Sequence, residues 1–143
     1  DRMKACFLAG MFTISLALPG LAGSGAPAGL LASGNKVDLP PILLSAGQPL
    51  ASMPLQLKSG TYYEIEIESD GSQELGLAGA GFFRAVWIDE IVIEGLEIRP
   101  YGIESPEFDE AGTMEIGFIA IKPGTYSLGV PGMESMSIEV VIE

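Results

Sequence analysis

"IKPGTYSLGVPGMESMSIEVVIE", residues 121–143, decides how the chain is read. Pro123-Gly124 marks a turn, "TYSLG" enters a strand, and a tight loop follows. Met136, Ile138, Val140 and Ile142 then alternate with Ser137, Glu139 and Val141 to the end. Successive side chains of a strand point to opposite faces, so this period of two sets the four apolar residues on one buried side.

Working outward, the same rhythm recurs. "TMEIGFIAI" (113–121) alternates with Met114, Ile116, Phe118 and Ala120 inward. "VWIDEIVIEGLEIRP" (86–100) reads as two strands around Glu94-Gly95, a two-residue loop ending in glycine that suits a tight hairpin. "TYYEIEIES" (61–69) sets Tyr63, Ile65 and Ile67 on one face and Glu64, Glu66 and Glu68 on the other, closed by an Asp70-Gly71 turn. On a sheet edge such a segment offers unpaired backbone, which the glutamates guard against chance pairing and leave for a specific strand-adding partner. A first strand falls near Ile42–Leu44. The spacing predicts an all-β chain of seven or eight short strands, an antiparallel β-sandwich over residues 54–143, with 32–53 as linker and first strand and no helix in this part.

Composition agrees and excludes several functions. The chain has 143 residues, enough for one sizeable core, with 19 Gly and 10 Pro. Seven basic residues stand against 19 acidic ones, a net charge of -12. That balance repels phosphate backbones, which excludes nucleic acid and leaves proteins, cationic ones included, as partners. There is no histidine and a single cysteine, Cys6. Ser-His-Asp and Cys-His catalysis, His-containing zinc sites and imidazole-ligated copper are therefore absent, as is an intramolecular disulfide.

Residues 1–31 are the one long apolar region. Arg2 and Lys4 precede a run from Ala5 to about Leu18, then Pro19 and small residues from Ala22 to Ala26. This is the pattern of a secretory signal peptide, read as an N-terminal hydrophobic helix. No charge occurs between Lys4 and Lys36, so a retained inner-membrane anchor is the competing reading. Either way the remainder is expected to be exported, to the periplasm.

Three segments in order, "PLQLKSGTYYEIEIES" (54–69), "GFFRAV" (81–86) and "IKPGTYSLGVPGMESMSIEVVI" (121–142), resemble the cupredoxin family of blue-copper-type proteins. The resemblance implies a Greek-key β-sandwich and an electron-transfer setting. It also implies a copper site, formed by a cysteine four residues after the tyrosine, then a histidine and a methionine before the last strand, with a second histidine upstream. Here those places fall on Val130, on or near Met133, on Met136, and on Glu74 or Leu75. Blue copper needs a thiolate and two imidazoles, with the thioether as a weak axial ligand. The expectation is a degenerate member without copper. Thioethers select Cu(I), so Met133 and Met136 with Met114 or Met53 form an alternative copper-handling set; the competing reading makes Met136 a core residue.

Other candidates are weighed the same way. Glu104, Glu107, Asp109 and Glu110 gather oxygens suited to Ca²⁺, against the simpler reading of a solvated acidic turn. Glu64, Glu66 and Glu68 lie on a wet strand face, where nothing raises one carboxyl for acid-base work. "GLAGAGFF" (76–83) lacks the lysine of a phosphate loop and reads as small residues packing under Phe82-Phe83. Phe82, Phe83, Trp87 and Tyr101 form either core or a surface for a partner, and the loop 100–112 with Glu104, Glu107, Asp109 and Glu110 is read as a contact surface as well. The functional expectation is a non-catalytic structural or recognition subunit without cofactor. Its partner is a protein, a membrane-bound periplasm-facing redox complex, with the membrane itself added if residues 1–31 persist.

Overall fold

The computed structural model describes residues 29–143. The proposed signal peptide or anchor helix, apart from its last three residues, and Cys6 lie outside the described residues. No described helix is long and apolar enough to cross a membrane.

Alternating segments become paired strands because each must bury one apolar face. Eleven strands form among the described residues. They are β1 (Lys36–Asp38), β2 (Ile42–Leu44), β3 (Leu55–Leu57), β4 (Tyr62–Ser69), β5 (Leu75–Gly76) and β6 (Val86–Ile93), followed by β7 (Leu96–Ile98), β8 (Glu107–Phe108), β9 (Gly112–Ala120), β10 (Gly124–Gly129) and β11 (Ser137–Ile142). The larger sheet runs β1-β4-β9-β6-β7, with β2 also on β4; the smaller runs β10-β11-β3, and β5 pairs with β8. Between the two larger sheets, Ile65, Ile67, Ile116 and Phe118 meet Leu128, Ile138, Val140 and Ile142 in one apolar core. The expected sandwich is present, and Met114, Ile116, Phe118 and Ala120 all point into it.

The strand count exceeds seven or eight because β1, β5 and β8 are two- or three-residue pieces with no legible alternation. Three pairings are parallel rather than antiparallel: β1 and β2 on β4, and β3 on β11. Parallel partners are distant in sequence and leave no local turn signal. They also make β4 an interior strand, so "YYEIEIE" is not an edge and the strand-adding role weighed for it there does not apply. A single helical turn, α1 (Ala80–Phe83), replaces the expected small-residue loop, held by the Phe83 N–H donating to Gly79 O at 2.9 Å.

The Glu94-Gly95 hairpin forms as read. Both residues have positive φ, 47° and 80°, the conformation of a type I′ turn. Left-handed backbone is strained for glutamate and tolerated by asparagine. Glu94→Asn is therefore expected to raise the unfolding free energy by about 0.5–1 kcal/mol, measured by denaturant titration.

Candidate functional site

The loop between β10 and β11 occupies the place where the family resemblance sets a metal. It is tied closed by backbone bonds: Val130 N–H to Met136 O at 2.9 Å, Met133 N–H to Val130 O at 3.1 Å, and Met136 N–H to Met133 O at 3.0 Å. Gly129 anchors it against the upstream segment, donating to Ala78 O at 2.9 Å and accepting from Ala78 N–H at 2.8 Å. A Cβ on Gly129 would stand 2.9 Å from Met136 O and from Ser137 Cα, so only glycine lets the loop's two ends meet. The topology thus brings Ala78 against the start of the loop, whereas Leu75 pairs with Phe108 and Glu74 gathers with Glu107 and Asp109.

The chemistry there is not that of blue copper. Val130 is buried, Met136 is 1% exposed in the core, and Leu75 is buried as well. Beside the loop lies an open depression of about 600 Å³, lined by Ala78, Gly129, Pro131, Met133, Glu134 and Ser137. Its donors are one thioether, one carboxylate and the hydroxyls of Ser127 and Ser137, which lie 3.0 Å apart and bond to each other. A Cu(II) site needs imidazole and thiolate, and this donor set does not fit it. Nor does the fold gather the alternative thioether set in the depression. Met133 lines it, Met136 turns into the core, and Met114 is buried on β9 against Ile67 and Ile93 across the sheet. Met53 is exposed.

The acidic segment is rearranged relative to the sequence reading. Glu107 and Asp109 converge with Glu74, their oxygens within 4.8 Å, whereas Glu104 and Glu110 stand outside the group. The β5–β8 ribbon, pairing Gly76 with Glu107, makes this meeting, and residues so far apart in sequence gave no sign of it. Glu107 beside it pushes the Glu74 carboxyl above its ordinary value through a shared hydrogen bond and like charge. All three are exposed.

The four aromatic residues do not form one surface. The α1 turn points Phe82 and Phe83 down into the core, where Phe82 meets Phe118 edge-on at 5.6 Å. They are unavailable to a partner. Trp87, on β6, is half exposed, and Tyr101 is fully exposed.

One constellation escaped the sequence reading. On the outer face of the larger sheet, Tyr62 is fully buried and donates its hydroxyl to Asp89 Oδ2 at 2.9 Å. Burial first, then this bond and the nearby carboxylates, pushes the phenol well above its ordinary value, so it stays a donor. Arg99 reaches Asp89 at 2.9 Å and Glu90 at 3.4 Å, and pairs with Glu97 as well. Lys36 lies 4.5 Å over the Tyr62 ring and 3.3 Å from Glu64. Asp89 stands beside Glu90 on this outer face because the register slips between Ile88 and Glu90, a bulge that re-aims the Asp89 side chain toward Tyr62. The signal was present in the sequence: the apolar spacing of β6 changes from two to three between Ile88 and Ile91.

No protein-family model matches the chain, and no curated protein matches it. Solved structures do. A multi-copper oxidase from Pseudomonas thermotolerans aligns at a TM-score of 0.55 and 15% identity, over 77% of this chain and 30% of that one. A laccase-like multi-copper oxidase from the lignin-degrading bacterium Ochrobactrum sp. aligns at 0.56 and 9% identity, over 78% and 32%. A copper-containing nitrite reductase from Thermus scotoductus aligns at 0.50 and 13% identity, over 63% and 22%. The fold is therefore cupredoxin-like. The chain spans a third or less of the length of each of these proteins.

Proposed function

We propose that this chain is a non-catalytic, copper-free, cupredoxin-like domain that works by recognition, as an accessory subunit. The observation supporting this most strongly is the carbon side chain of Val130, buried at the place the resemblance gives to the copper thiolate, in a chain without histidine. A valine there offers a metal no electron pair. The apolar segment 1–31 supports export and a periplasmic setting, and the copper enzymes that share the fold support a redox complex as partner. Fold analogy is the whole basis of that last step.

The competing assignment, a Cu(I) carrier using Met133, Met136 and Met114, is weakened by the burial of Met114 on β9 and of Met136 in the turn that precedes β11. The test of the recognition role is gentle extraction of the native protein from membranes, followed by intact mass and identification of what co-purifies. The expected result is a large assembly holding this chain in fixed ratio with redox subunits. A solitary chain would contradict it.

A further inference from the structure

The larger sheet ends in an edge strand that nothing among the described residues covers. β7 pairs with β6 alone, and all three of its residues are exposed. Ile93 and Leu96 flank a two-residue turn and form its hydrogen-bonded pair, as Ile91 and Ile98 form the next. Glu97, between them, therefore turns its N–H and C=O outward to the free edge, and the backbone of Arg99 follows by alternation.

The edge has two chemically distinct sides. On the core side, Ile93, Leu96 and Ile98 run past the smaller sheet and stay 39%, 61% and 41% exposed. On the outer side stand Asp89, Glu90 and Glu97, with Glu94 at the tip, and among the described residues Arg99 is the cation that forms ion pairs with the first three. We infer that β7 is the docking edge of this domain, which takes an extended segment of a partner protein that alternates apolar and cationic side chains. The partner's backbone would pair with Glu97 and Arg99, its apolar residues would cover Leu96 and Ile98, and its lysines or arginines would meet the surplus carboxylates. A second copy fits poorly, because pairing two β7 edges brings together two chains of net charge -12. The inference rests on the recognition role proposed above and gives it a surface.

The probe is a synthetic end-capped peptide of alternating lysine and valine, with a glutamate-valine peptide as control, added to the full chain at low salt. Amide hydrogen exchange is read at Glu97 and Arg99. The lysine peptide should slow exchange there at least about tenfold, and the glutamate peptide should not. Glu97→Pro removes the outward N–H and no bond of the β6–β7 ladder, so it should abolish protection of Arg99 while melting as the parent does. Should that variant fold poorly, Leu96→Asp, on an exposed position, should weaken the peptide's effect instead. Unchanged exchange, equal protection by both peptides, or protection surviving both substitutions would overturn the inference. So would β7 amides already protected in a chain that sediments as a dimer. Co-purification of the native chain with its assembly is read independently of these results, so a failure at β7 is distinguishable from a failure of the recognition role.

Discussion

Gly117→Ala is expected to lower the unfolding free energy by about 3 kcal/mol, in a residue that contacts neither the candidate site nor the main core. Gly117 lies on β9 opposite Glu64 and Glu90, and Tyr62 lies one diagonal away on β4. The tyrosine ring leans across the glycine to reach Asp89, which is how a side chain on an outer sheet face becomes fully buried. A Cβ at 117 would stand 2.2 Å from the Tyr62 hydroxyl, 3.0 Å from Cζ and 3.3 Å from Glu90 Cγ. The ring cannot stay. Its displacement costs the Asp89 bond, the Lys36 contact and the burial of the ring together. Chemical denaturation should show a lower midpoint with an unchanged slope. Tyr62→Phe in the same chain removes the atom of closest clash, so the double variant should be less destabilised than the two single losses summed. A loss below about 1 kcal/mol for Gly117→Ala would mean that the ring does not lie where this account puts it.

Phe118→Ala should cost more, about 4 kcal/mol. Phe118 is 1% exposed at the centre of the sandwich. It meets Phe82 edge-on at 5.6 Å and Tyr63 at 5.9 Å, so it joins the larger sheet to the α1 turn. Truncation leaves a cavity that two aromatic rings held by backbone on separate elements cannot close. Domains of this size have little stability in excess, so the variant should be largely unfolded by mild denaturant. Phe118→Leu, which keeps most of the volume, should lose less than about 1.5 kcal/mol by the same titration.

The local pattern carried much of the fold. β4, β6, β9, β10 and β11 follow from apolar spacing, and the turns at Asp70-Gly71 and Glu94-Gly95 from glycines that adopt positive φ. What escaped was pairing between distant segments. Nothing near Lys36 or Leu55 announces a parallel neighbour, so alternation alone does not show that β4 is interior and β7 an edge. The candidate loop was legible because its absent ligands can be read by inspection. The Glu74–Glu107–Asp109 meeting was not, because it depends on a two-residue ribbon. The Tyr62–Asp89–Arg99 set lay halfway between, its bulge announced by the slipped spacing of β6 and its partners set only by the folded sheet.

The measurement closest to the central claim is the copper content of the full chain after exposure to Cu(II), and separately to Cu(I) without oxygen, followed by desalting. The account predicts no stoichiometric copper from either and no thiolate-to-copper absorption. Retention of one copper per chain, lost on replacing Met133 and Met136 by leucine, would contradict it and make this loop a Cu(I) site.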